Sequence, residues 1–197
     1  MLATIDAVRQ SLHERHDPVY KKKQLHPFPE APVVKRVPFL LDLCRGKTVL
    51  HLGASGVLQE ELVKAAGKVY GLDKNPGEGV EAMDFDDFHA QIPLYEGVSL
   101  ILAGEILEHL SNPGWLLSRL RTTYPTVPLL VTVPNAFTFI QPPYLAKGIE
   151  NVNIDHVAWY SYTTLTTLLS RHGYTPAEFC WYNGKPGTAE GLIMLTE

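Results

Sequence analysis

Cysteine is scarce. Cys44 and Cys180 are the only two in 197 residues; they lie far apart, and neither belongs to a CxxC pair or sits beside a histidine cluster. That excludes a disulfide framework and a structural zinc site, and leaves the expectation of two buried thiols in a reducing cytoplasm. An excess of positive charge is also lacking: the net charge is -4 and the pI about 6.1, which argues against general nucleic-acid binding and against an anionic membrane surface. No apolar run approaches membrane-spanning length, and the opening "MLATIDAVRQSLHERHD" has no signal-peptide core, so a soluble, cytoplasmic, unexported protein is expected. No repeat or low-complexity segment is found. With 45% hydrophobic residues, the chain has enough apolar material for one well-buried core.

Residues 1–36 differ from the rest. A short helical pattern leads to Lys21-Lys22-Lys23 and then to "HPFPEAP", whose prolines oppose regular structure. This segment reads as an arm or lid, in which Tyr20, Lys21 and His26 are candidates to close over a ligand. From residue 37 to 197 the text reads as one domain. "VPFLLDLCRG" is a short apolar helix, "KTVLHL" a strand, "LQEELVKAAG" a helix and "KVYGLD" a strand ending on an acid. "GVEAMD" is a weaker strand and "VSLILA" a fully apolar one. "NPGWLLSRLRTTY" is a helix capped by Asn112 with Pro113 in its first turn, and "PLLVTVP" is a further buried strand. After the helix "SYTTLTTLLSRHGY", the runs "AEFCWYN" and "EGLIMLTE" are close enough to pair antiparallel. Strands alternating with helices imply an α/β, doubly wound, largely parallel sheet with helices on both faces.

In such sheets a ligand sits at the carboxyl ends of the strands, where strand order reverses. "TVLHLGASG" occupies the first strand-to-helix turn: Gly53 permits a tight turn, and Ala54, Ser55 and Gly56 keep bulk away from the main chain. The next strand ends in Asp73, twenty residues beyond Gly53, where a carboxylate can accept both hydroxyl protons of a ribose. The turn does not supply the G-x-G-x-x-G that a pyrophosphate wants, so a nucleoside cofactor without phosphates fits better.

"VLHLGASG", "VYGLDKNP", "EAMDFDD", "LILAGEILEHLSNP" and "DHVAWYSYTTLTTLLSRHGY", in this order, resemble class I S-adenosylmethionine-dependent methyltransferases, in particular a bacterial subgroup that modifies small molecules and surface glycans. The resemblance spans residues 45 to 197 and implies a Rossmann-like seven-stranded sheet of order 3-2-1-4-5-7-6, with strand seven antiparallel. It places Gly53, Ala54, Ser55 and Gly56 beneath the methionine part of the cofactor, Asp73 at the ribose with Lys74 and Asn75 beside it, and Asp84 and Phe85 at the adenine. Ala103, Gly104 and Glu105 would face the methionine end, with Glu108 and His109 structural. Two positions depart from the family pattern: His51 replaces its usual acid and Ser55 its usual glycine, which leaves the placement of the turn open.

The segment 135–161 is long and aromatic for a bare connection and reads as the acceptor pocket. Within it His156 is the candidate general base, with Asp155 to orient it, set against the alternative of a histidine that anchors the next helix. Asn135, Trp159 and Tyr160 are candidate pocket residues. "QPPY" at 141–144 partly matches the D/N-P-P-Y signature of base-amine methylating enzymes, but follows the fifth strand rather than the fourth and reads as a stiff loop. Glu105, Glu108 and His109 lack the HExxH spacing, so no metal is expected. The function expected is methyl transfer to an oxygen of a small metabolite or glycan unit. A nicotinamide-dependent reductase is opposed by the missing glycine and by the lack of a Tyr-x-x-x-Lys pair, Tyr144 and Lys147 being three apart. A non-catalytic cofactor- or partner-binding protein of the same fold stays open.

Overall fold

The computed structural model describes residues 27–197. Tyr20, Lys21 and His26 lie outside the described residues. A single mixed sheet of eight strands carries the fold. Its elements, in chain order, are β1 (Val33–Val34), α1 (Arg36–Cys44), β2 (Thr48–Leu52), α2 (Gly56–Ala65), β3 (Lys68–Asp73), β4 (Val80–Ala82), β5 (Leu100–Gly104), a 3-10 turn (Leu107–His109) and α3 (Pro113–Thr123). Then follow β6 (Leu129–Pro134), α4 (Gln141–Leu145), α5 (Tyr162–Arg171), β7 (Pro176–Tyr182) and β8 (Gly191–Thr196).

The strand order is β1-β7-β8-β6-β5-β2-β3-β4, eight strands where seven are expected. The addition is β1, drawn from the segment read as an arm. Pro27, Pro29 and Pro32 keep residues 27–32 irregular, and only beyond them can two valines pair. Pro32 and Val34 then offer their carbonyls to the amides of Trp181 and Asn183 at 2.9 and 3.0 Å. β1 runs parallel to β7 and covers that edge of the sheet. β8 is antiparallel to both β6 and β7, so the terminal hairpin forms as the sequence suggests.

Both faces of the sheet are buried, which is why the central strands read as continuous apolar runs. On one face Leu50, Leu52, Ile101, Val131 and Leu192 pack against Leu116, Leu117 and Leu120 of α3 and Leu165 and Leu169 of α5. On the other, Val49, Leu100, Leu102 and Ile193 pack against Leu40 of α1 and Leu62 of α2. Side chains alternate along a strand, so His51 shares this second face with Val49. Both cysteines are free and buried, and burial pushes each thiol up to about 11. The helix ends follow their local chemistry. The Asn112 side chain accepts from the Trp115 amide at 3.0 Å with Pro113 opening α3, and Ser161 and Thr164 form a capping box on α5. "QPPY" is not a bare loop: Pro142 and Pro143 fall in the first turn of α4, where a missing amide costs no helix bond. Among the described residues no helix is long and apolar enough to cross a membrane.

Candidate active site

Chain order reverses between β2 and β5. From β2 the chain builds outward through β3 to β4, then returns to lay β5 on the other side of β2. The carboxyl ends of β2, β3 and β5 open at that reversal into a cavity of about 660 Å³.

The β2 turn is held tightly. Gly53 and Ala54 both donate to the Leu72 carbonyl, at 2.9 and 3.1 Å, which folds the turn over the end of β3. Gly53 sits at φ 72°, and a Cβ there would meet Ile106 at 3.2 Å, so both the conformation and the space call for glycine. Behind the turn, His51 is fully buried; its Nδ1 donates to Gln59 Oε1 at 2.7 Å, while Nε2 has no partner among the described residues. Burial holds this imidazole neutral, below its ordinary range. The acid-to-histidine departure is thus accommodated by a glutamine one helical turn into α2.

At the end of β3, Asp73 Oδ1 accepts from the Asn75 amide at 2.8 Å, and the Asp73 carbonyl accepts from the Met83 amide at 2.8 Å, which brings the segment after β4 alongside. Asp84, Phe85 and Asp86 follow. Asp86 reaches the Ser111 amide at 2.9 Å, fastening this loop to the entry of α3. Asp73, Lys74, Asn75, Asp84, Phe85 and Asp86 all line the cavity.

The β5 end carries a different kind of residue. Glu105 adopts φ 59°, a left-handed conformation disfavoured for a side chain of this kind. Its amide donates to the Thr132 carbonyl at 2.9 Å, its Oε1 accepts from the Tyr182 hydroxyl at 2.7 Å, and its Oε2 lies 3.7 Å from Arg36 Nη1. Burial and this carboxylate raise the Tyr182 pKa, keeping the phenol a donor. Arg36, at the start of α1, also lines the cavity, and its Nε is buried without a partner among the described residues. Sequence reasoning missed it. A lone arginine before an apolar helix carries no local signal, and only the docking of α1 brings it to β5.

Beyond Glu105, the 3-10 turn sets Glu108 inward and His109 on the cavity wall. The Glu108 carbonyl accepts from the amides of Val157 and Ala158 at 2.8 and 3.2 Å, drawing the long segment back over the turn. The His156 ring therefore lies edge-on to His109, with centroids 4.6 Å apart. One ligand atom from each of Glu108, His109 and His156 falls within 4.8 Å of the others. The third member of this group is His156, not the Glu105 weighed from the sequence. The fold-back of 153–158 brings in His156, whose approach spacing along the chain could not reveal. Burial, and secondarily Glu105, push the Glu108 carboxyl up to about 8.

The remaining candidates divide. Gly53, Ser55, Gly104 and Glu105 line the cavity, whereas Ala54 and Ala103 are buried in packing. Gly56 opens α2 with φ 60° and stands outside the lining. His156 sits beside His109 rather than in the wall, and Asp155, which does line it, makes no hydrogen bond to the imidazole among the described residues. Asn135 and Tyr160 do not face the cavity. Asn135 is fully buried, its amide donating to the Gly187 and Ala189 carbonyls at 3.1 and 3.0 Å and its Oδ1 accepting from Phe137. The Tyr160 hydroxyl donates to the Leu107 carbonyl at 3.2 Å. The first fastens the long segment to the β7–β8 connection and the second to the 3-10 turn. Trp159 stays half exposed on it, close to His156.

No protein-family profile and no curated protein sequence matches the chain. Solved structures do match. The small RNA methyltransferase HEN1 superposes with a TM-score of 0.65 at 18% identity over 98% of this chain, which spans only 30% of the length of that protein. Magnesium protoporphyrin IX methyltransferase (ChlM) from Synechocystis PCC 6803, with bound S-adenosylhomocysteine, gives 0.61 at 12% identity over 97% of this chain and 96% of that one. A SAM-dependent methyltransferase from Archaeoglobus fulgidus gives 0.59 at 16% identity over 82% and 91%. The fold is that of the S-adenosylmethionine-dependent methyltransferases. The seven strands β2 to β8 are the number the resemblance implies, and β1 is an eighth at the edge beside β7.

Proposed function

We propose that this chain binds S-adenosylmethionine in the cavity and transfers its methyl group to an oxygen of a small metabolite or glycan unit. The carrying observation is Asp73 at the carboxyl end of β3. One of its oxygens is held by the Asn75 amide, and the other has no protein partner among the described residues, the arrangement a ribose diol needs. The surroundings fit the rest of that cofactor. Asp84 and Phe85 supply an acceptor and an aromatic wall for the adenine, and Arg36, with its unpartnered Nε, suits the methionyl carboxylate. Asp73, Asp84, Asp86, Glu105 and Asp155 outnumber Arg36 and Lys74 in the lining, which opposes the pyrophosphate of a dinucleotide.

Bound there, S-adenosylmethionine supplies a methyl group already activated by its sulfonium. The chain's own task is alignment. Gly53 and Gly104 let the backbone approach the cofactor, and Glu105, fixed by Tyr182, marks the side from which an acceptor arrives. The same acid-rich lining disfavours a polyanionic acceptor. Phe137, Phe139, Tyr144 and Trp159, each 40–56% exposed on the segment above, suit the apolar face of a sugar or small ring. The named acceptors of the structural neighbours range from small RNA to magnesium protoporphyrin IX and 1,6-didemethyltoxoflavin, so the fold leaves this choice to the segment 135–161.

Calorimetric titration with S-adenosylhomocysteine tests the reading. Saturable binding is expected, weakened about 30-fold or more in Asp73→Ala, equivalent to about 2 kcal/mol for charge-assisted hydrogen bonds. Binding that is absent, or indifferent to Asp73, would refute it.

A further inference from the structure

We propose that Glu108, His109 and His156 bind one divalent first-row transition cation on the wall of the cavity. Three observations carry it. The three ligand atoms already lie within 4.8 Å of one another. A cation held at about 2.1 Å by each needs separations of roughly 3–4 Å, which small side-chain rotations supply. Glu108 is 1% exposed, and neither carboxylate oxygen has a hydrogen-bond partner among the described residues. A buried carboxylate left without partners is costly, and buried charges otherwise pair or coordinate metals. Finally, His156 does not reach the cluster by chance of a loop. The Val157 and Ala158 amides bind the Glu108 carbonyl, and the Tyr160 hydroxyl binds that of Leu107, so the segment is fastened to the same 3-10 turn that carries the other two ligands.

Two imidazoles and one carboxylate favour manganese, iron, cobalt or zinc over magnesium or calcium, which prefer all-oxygen sets. Three protein ligands leave coordination positions open. His109 belongs both to the cluster and to the cavity wall, so the cation stands beside the space an acceptor enters and can take an acceptor oxygen as a further ligand. This last role rests on the methyltransferase reading, whereas cation binding itself does not.

The test uses the full chain and Mn²⁺, with loss of the free-ion paramagnetic resonance signal as readout. One ion per chain is expected to bind, with Glu108→Gln and His156→Ala each weakening it by at least about tenfold. S-adenosylhomocysteine titrations on the same samples serve as the fold control, because neither residue lies among the proposed cofactor contacts. The absence of saturable Mn²⁺ binding, or binding unchanged in both variants, overturns the proposal even when S-adenosylhomocysteine binds. Saturable Mn²⁺ binding that both variants weaken, in a chain that does not bind S-adenosylhomocysteine, upholds the cation site and overturns the methyltransferase reading instead.

Discussion

His51 is fully buried, yet among the described residues one of its ring nitrogens has no hydrogen-bond partner. Desolvation is the main cause of its lowered pKa; the Gln59 bond and Asp73 oppose it, and Arg36 adds to it. The folded pKa lies below the unfolded value of about 6.5. Stability from the neutral ring is therefore complete above pH 6.5 and declines as acid protonates the unfolded chain first, by up to about 1.4 kcal/mol per pH unit. Urea unfolding at about pH 7.5 and about pH 5.5 should show His51→Gln less sensitive to acid than the parent, and equal sensitivity would remove His51 from the account. Arg36 makes a second prediction at this scale. Arg36→Ala should weaken S-adenosylhomocysteine binding about tenfold, near 1.4 kcal/mol, while a homologous ligand lacking the carboxylate should bind parent and variant alike.

The β2 turn is where an element, rather than a residue, decides the site. Gly53→Ala would place a Cβ at φ 72° and 3.2 Å from Ile106. The left-handed conformation alone should remove about 1–2 kcal/mol of stability, seen as a melting temperature lower by roughly 2–8 °C. A melting point unchanged by the substitution would contradict the geometry. This turn was legible in the sequence because its signals are local: small residues after an apolar strand, and Asp73 at the end of the next. The same holds for α3 and α5, whose caps Asn112 and Ser161 precede them directly. β1 was not legible, since two valines after a run of prolines carry no period. Asn135 and Tyr160 illustrate a related limit. Polar and aromatic residues in a long segment look alike whether they face a ligand or, as here, hold carbonyls at 187, 189 and 107. The Glu108, His109 and His156 cluster was beyond reach, because its third member arrives through backbone hydrogen bonds that no side-chain pattern encodes.

Among the described residues, strain and unpartnered polar atoms gather mainly in one region, with Asn183 at φ 49° after β7 and the Tyr95 and Thr166 hydroxyls outside it. Glu105 at φ 59°, the Arg36 Nε, the His51 Nε2 and the Glu108 carboxylate all lie around the carboxyl ends of β2 and β5 or in the turn that follows, while the apolar sheet faces are closely packed. Residues that oppose folding locally are retained where a ligand is to be met. The central claim is that this region is the seat of S-adenosylmethionine, and a crystal structure of the chain grown with S-adenosylhomocysteine tests it most directly. The ribose hydroxyls are expected on Asp73, the adenine beside Phe85 and the homocysteine carboxylate toward Arg36. A ligand bound elsewhere, or a cavity that stays free of it at saturating concentration, would contradict it.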